Sequence, residues 1–118
     1  MALAFVIHEH SGFGPTHYDL MLEDGPVLAT WQIPVCPFPI GQEGGVSAIK
    51  LPDHRKHYLD YQGPISRGRG EVRLVEKGTY EVLARDEGLW RVKLTGSAMQ
   101  GSFELAKEGE TAWRLRRL

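Results

Sequence analysis

The sequence predicts a mainly β protein in which eight or nine short antiparallel strands close into a sandwich or a barrel. Three observations carry that prediction. Apolar and polar residues alternate from end to end, the period-two pattern of strands with one buried face. Glycine and proline break the alternation roughly every ten positions, the spacing of short strands joined by tight turns. No apolar stripe at helical spacing runs for a useful length. So many strands in one small domain leave edges that must be paired or covered, which a closed architecture achieves.

Taken in order, strands are expected over 4–10, 16–23, 27–33, 46–51, 70–76, 79–85, 89–95, 101–106 and 111–117. The turns between them use residues that tolerate positive φ or preset a bend: Glu23-Asp24-Gly25-Pro26, Lys77-Gly78, Asp86-Glu87-Gly88, Thr95-Gly96 and Glu108-Gly109. Residues 34–45 and 63–70 read as longer loops. One short helix is expected over 53–60, with Asp53 as N-cap and His54, His57 and Tyr58 on one face. No linker or repeat interrupts the pattern, so residues 1–118 read as a single domain.

Composition narrows the function. Hydrophobic residues make up 42% and charged residues 25%, and 14 basic residues nearly balance 15 acidic ones for a net charge of −1. That excludes the strongly basic character of many nucleic-acid binders, although Arg67, Arg69 and Arg73, and again Arg114, Arg116 and Arg117, form local clusters. Those clusters are either phosphate-facing strips or solvated strand faces. No run is long enough to span a membrane, and the apolar start from Met1 to Ile7 lacks a basic leader, so a cytoplasmic protein is expected. The single cysteine, Cys36, excludes an internal disulfide and is expected to be structural. Trp31, Trp90 and Trp113 are expected in the core rather than stacked on bases.

The histidines are the informative residues. All five fall in two patches, His8-Glu9-His10 with His17-Tyr18-Asp19, and Asp53-His54-Arg55-Lys56-His57-Tyr58. Strand periodicity puts His17, Asp19, Met21 and Glu23 on one face, with His17 and Asp19 about 7 Å apart along the strand. His8 and His10 share a face of the preceding strand. A hairpin through Ser11-Gly12-Phe13-Gly14-Pro15 would bring His10 beside His17 and Asp19. Two imidazoles and a carboxylate suit manganese, zinc or iron; the alternative is a hydrogen-bonded polar surface. His8 either joins that group, supports it, or is exposed.

The run His17-Tyr18-Asp19-Leu20-Met21-Leu22-Glu23, following Phe5-Val6-Ile7 and His10, resembles the 3′-phosphoesterase domain of bacterial DNA ligase D and its stand-alone relatives. Further motifs follow in the family's order. They are Trp31-Gln32-Ile33-Pro34, then Asp53-His54 with Tyr58, Asp60-Tyr61 and Gly63, then Ile65, Gly68, Gly70 and Val72, and finally Gly96, Gly101, Phe103, Leu105, Trp113 and Leu115. The resemblance implies a compact β-barrel with one or two short helices and a manganese-dependent activity that removes a 3′-terminal ribonucleoside and then a 3′-phosphate in DNA repair. It implies that His10, His17 and Asp19 hold the ion, Mn2+ first and Zn2+ second, and that His54 contacts the scissile phosphate with Tyr58 beside it. The partners it implies are 3′ ends of nucleic acid and a separate DNA ligase or polymerase.

Departures fall at cationic positions. Met21, Val35 and Val46 stand where the family pattern has two arginines and a lysine, and the spacing from His10 to His17 is one residue longer. Lost donors to a phosphoryl transition state cost about a hundredfold each. Lys50, Arg55, Lys56, Arg67 and Arg69 are the candidates to replace them. Two functions are therefore expected: a phosphoesterase acting on 3′ ends, or a metal- and nucleic-acid-binding module of the same fold without catalysis. An enzyme on a less anionic substrate is a third.

Overall fold

A computed structural model describes residues 2–38 and 44–118, so residues 39–43 of the loop expected over 34–45 lie outside the described residues. Among the described residues nine strands are formed: β1 (Leu3–Ser11), β2 (His17–Asp24), β3 (Val27–Ile33), β4 (Val46–Arg55), β5 (Gly63–Pro64), β6 (Glu71–Asp86), β7 (Leu89–Thr95), β8 (Gln100–Lys107) and β9 (Ala112–Arg117). All pairings are antiparallel. Two four-stranded meanders, β1-β2-β3-β4 and β6-β7-β8-β9, are joined through β4–β9 at one seam and β1–β6 at the other. The second seam closes an eight-stranded barrel, with β5 appended to β6. Closure leaves the eight main strands with partners on both sides over most of their length, which is how so small an all-β chain disposes of its edges.

The period-two pattern becomes the wall of the barrel. Phe5 and Ile7, Leu20 and Leu22, Ala29, Trp31 and Ile33, Phe103 and Leu105, and Trp113 and Leu115 point inwards and form the core. Trp31 is fully buried, with Trp90 and Trp113 meeting it edge-on at 5.4 and 5.6 Å between ring centroids. The tryptophans are thus core residues, and the edge-to-face geometry adds about 1 kcal/mol per pair to their area burial. The outer face of the first meander carries a second apolar patch, Val6, Met21 and Leu28. The connection from β4 to β6 crosses over it and buries it with Tyr58 and Leu59.

Three expectations need correction. The strands expected at 70–76 and 79–85 are one, β6, and Lys77-Gly78 is not a turn. Gly78 serves close approach instead: a Cβ there would lie 2.1 Å from the Thr95 carbonyl oxygen and 2.9 Å from the Phe5 ring. The helix expected over 53–60 is a single 3-10 turn, Lys56–Leu59, whose N-cap is Arg55 without any side-chain cap. Asp53 and His54 belong to β4, where Leu51 pairs with Thr30 and His54 with Leu28. Three steps on β4 against two on β3 make a bulge, and the extra residue turns His54 onto the outer face. The Arg114, Arg116 and Arg117 cluster is committed internally, to Glu108, to Glu104 and to the Phe103 ring.

Glu76 fastens the β7–β8 turn to β6. Its two oxygens accept from the backbone N–H groups of Lys77, Ser97, Ala98 and Met99 and from the Ser97 hydroxyl, at 2.6–3.2 Å. Burial alone would raise its pKa, but the hydrogen bonds from Met99, Ser97 and Ala98 together hold it below the usual carboxylate range. Glu76→Gln turns an amide N–H2 towards those donors and is expected to cost about 2–3 kcal/mol in urea unfolding at neutral pH. A depressed folded-state pKa gives stability that is full above the unfolded value and lost as pH falls through the folded one. The gap between wild type and Glu76→Gln should therefore narrow below the ordinary carboxylate range.

Candidate functional site on the outer wall

Inward-facing Phe5, Ile7, Leu20 and Leu22 oblige their neighbours in sequence to face out, so the barrel's alternation fixes the site. On β1 these neighbours are Val6, His8 and His10, and on β2 they are His17, Asp19 and Met21. The hairpin register sets His10 opposite His17 and His8 opposite Asp19. The donor atoms of His10, His17 and Asp19 all lie within 4.8 Å of one another. His10 Nδ1 stands 3.9 Å from Asp19 Oδ2, and His17 Nε2 stands 3.7 Å from Asp19 Oδ1.

Backbone carbonyls decide which ring nitrogen is free. His10 Nε2 donates to the Arg69 carbonyl oxygen at 2.6 Å and His17 Nδ1 to that of Pro15 at 3.2 Å. A carbonyl only accepts, so in the neutral ring the nitrogen facing it carries the hydrogen and the other keeps its lone pair. The lone pairs left, on His10 Nδ1 and His17 Nε2, are the ones turned to Asp19. Carbonyl support of this kind is how metal-ligating imidazoles are usually oriented. Asp19 is buried, its Oδ1 has no hydrogen-bond partner, and burial pushes its carboxyl up against the pull of His17, His54 and His10. An orphaned carboxylate oxygen beside two oriented lone pairs fits a divalent cation.

A cavity of about 110 Å³ opens next to this group, lined by His8, His10, Asp19, Met21, His54, Tyr58, Ile65, Arg69 and Val72. His54 donates from Nδ1 to the Pro52 carbonyl oxygen at 3.0 Å, leaving Nε2 for the cavity. Tyr58 meets His54 edge-on at 5.9 Å and His8 at 6.3 Å. His57 faces away from the cavity, stacked on Tyr61. His8 is 1% exposed, which removes the exposed alternative, and burial lowers its pKa to about 4.

Of the five candidate cations, Arg69 lines the cavity, its guanidinium held by Ser66. Arg55 lies over the outer side of Tyr58 at 6.0 Å. Arg67 sits on the loop at φ 64° and does not reach the cavity lining. Lys50 faces the barrel interior, 5.1 Å over the Trp31 ring and 3.7 Å from Asp53. Lys56 is paired with Glu23. Met21 lies buried on the site face, Val35 is exposed beyond β3, and Val46 packs against the core. Ile65 and Val72 entered the sequence reading only as members of the family pattern and not as cavity walls, and Arg69 only as a candidate cation and not through its carbonyl.

A closed antiparallel barrel bearing a His-His-Asp group on its outer wall, roofed by a crossover with a further His and Tyr, defines the class of protein. The sequence matches the DNA ligase D 3′-phosphoesterase domain over residues 7–107, and the chain belongs to that family. It is 31% identical over 121 residues to the multifunctional non-homologous end joining DNA repair protein LigD of Mycobacterium tuberculosis (strain H37Rv). It is equally similar to the multifunctional non-homologous end joining protein LigD of Mycobacterium bovis. In each case the match covers 97% of this chain and 16% of the relative, so the chain spans about a sixth of those proteins. Among the described residues, no helix is long and apolar enough to cross a membrane.

The roof is seated by a backbone contact. A Cβ on Gly70, at φ +79°, would fall 2.1 Å from the Ser11 carbonyl oxygen. Gly70→Ala is expected to lift residues 65–70 off the β1–β2 hairpin and to destabilise the fold by about 1–3 kcal/mol. Imidazole NMR should then show His10 losing its fixed Nε2–H tautomer while His17, pinned by Pro15, keeps its own.

Proposed function

We propose that this domain is a divalent-metal-dependent phosphoesterase that acts on 3′ ends of nucleic acid in DNA repair, removing a 3′-terminal ribonucleoside or a 3′-phosphate. The observation that carries the reading is the convergence of His10 Nδ1, His17 Nε2 and an Asp19 oxygen within 4.8 Å. Two nitrogens and one oxygen suit manganese, zinc or iron, and the family resemblance favours manganese. A divalent ion held by these three would offset phosphate charge and lower the pKa of a water. At about 110 Å³ the cavity is small, so the reading puts the phosphate inside and leaves sugar and base along the surface.

The chain's own groups divide the remaining work. Arg69 is the cation on the cavity wall and would attract the phosphate. His54, once protonated at Nε2, would donate to a phosphate or leaving-group oxygen, with Tyr58 holding its ring edge-on. The 3′-hydroxyl produced would be used by a separate DNA ligase or polymerase, and the work would take place in the cytoplasm. A second reading, a metal- and nucleic-acid-binding module of the same fold without catalysis, is favoured by Met21. That side chain is 1% exposed and apolar on the cavity face where the resemblance expects an arginine.

Two measurements separate the readings. With Mn2+ and a primer ending in a 3′-phosphate or a 3′-ribonucleotide, conversion to a 3′-hydroxyl is expected, falling at least about a hundredfold in His17→Ala and His54→Ala. In thermal melts, Mn2+ at a hundredfold excess over its Kd should stabilise wild type by about 2.7 kcal/mol. That gain should vanish in Asp19→Asn. Stabilisation without conversion decides for the binding module, and absence of both removes the metal reading of His10, His17 and Asp19.

A further inference from the structure

The cavity contains one imidazole that neither the proposed ion site nor the phosphate contact uses. His8 is 1% exposed, and its Nε2 has no hydrogen-bond partner. It lies in the cavity lining, directly across the β1–β2 ladder from Asp19. A buried imidazole nitrogen left without a partner costs about 1–3 kcal/mol, so something in the cavity must satisfy it when the site is filled.

Its place excludes the simplest answer. The group of donor atoms within 4.8 Å of one another comprises His10, His17 and Asp19, and His8 is outside it. His8 is therefore not a fourth ligand of the same compact set. Nε2 is the buried nitrogen of this ring left without a hydrogen-bond partner. With its hydrogen on Nδ1, Nε2 would present a lone pair, as the carbonyls pinning His10, His17 and His54 leave a lone pair on each of those rings. A lone pair repels phosphate oxygens and welcomes an O–H. The cavity, about 110 Å³, has room for several waters.

We propose that His8 is a positioning residue: its Nε2 accepts a hydrogen bond from the water that the cavity holds beside His10, His17 and Asp19, orienting that water's oxygen towards a phosphate. Register makes the arrangement possible. The β1–β6 ladder shifts between Ile7 and His8, where Ile7 pairs with Glu76 and His8 with Leu74. The edge-on contact with Tyr58, at 6.3 Å, holds the ring. The inference rests on the phosphoesterase reading for the water's purpose, and on the burial of His8 and its unpartnered Nε2 for the acceptor.

The test uses Zn2+ and Mn2+ as probes on wild type, His8→Phe and His8→Gln. In long-range 1H–15N spectra of the Zn2+-loaded protein, His8 should show the Nδ1–H tautomer with Nε2 unprotonated and uncoordinated, distinct from the coordinated rings of His10 and His17. His8→Phe should keep Mn2+ affinity within about twofold of wild type yet lower kcat by about tenfold to a hundredfold, with KM little changed. His8→Gln, whose amide oxygen can accept, should recover most of that loss. A coordinated Nε2, or a loss of Mn2+ affinity matching that of His17→Ala, overturns the proposal by making His8 a ligand. A protonated Nε2, or His8→Phe with full kcat, also overturns it. Should wild type bind Zn2+ but convert no primer, the phosphoesterase reading fails while the spectra still decide the acceptor role of His8.

Discussion

Burial of the outer patch under the β4–β6 crossover is the constraint on which the site depends. A barrel wall ordinarily turns its outer residues to water, yet here Val6, Met21 and Leu28 are apolar and fully covered by the turn that carries Tyr58 and Leu59. Burying side chains of this size favours the folded chain by about 1.5–3 kcal/mol each. The same roof that covers them withdraws Asp19 and His8 from solvent. Without it His8 and His10 would be hydrated surface groups, and His10 would lose the Arg69 carbonyl that fixes its tautomer. With it, a cavity of a few water volumes is left between two layers of chain, and its polar walls must find partners inside it.

The second layer of control is the backbone rather than side chains. Arg69, Pro15 and Pro52 each lend a carbonyl oxygen to an imidazole, so the lone pairs that matter are oriented by loop conformation. This separates two properties of Arg69. Its carbonyl belongs to the orientation of His10, whereas its guanidinium belongs to the charge of the cavity and is steadied by Ser66. A side-chain change at that position alters charge and leaves the tautomer, while a change of backbone angle at Gly70 does the reverse.

Much of this was legible in the sequence where one residue follows another along a strand. The period-two pattern located β1, β2, β3 and β7 to within a residue or so and put His17, Asp19 and Met21 on a common face, because alternation is a local property. The His10–His17 neighbourhood followed from a short hairpin. What failed needed contacts distant in sequence. Gly78 looked like a turn until the Thr95 carbonyl and Phe5 ring came against it. Asp53 looked like a helix cap until the bulge opposite β3 drew His54 into the strand. Lys50 looked like a phosphate contact, but the same bulge leaves it on the inward face over Trp31. No local signal distinguishes an exposed His8 from one sealed beneath Tyr58.

Core and chemistry share the same two strands, taken by alternate residues, and this restricts how the chain can vary in length. One residue inserted within β1 or β2 would turn every following histidine into the core and every core residue out to the cavity. The same insertion between the strands is harmless. The residues separating His10 from His17 lie almost wholly in the hairpin loop, and the two histidines face each other across the ladder. Gain and loss of residues in such a domain is thus confined to its loops, and within the strands the site can change only by exchanging one side chain for another.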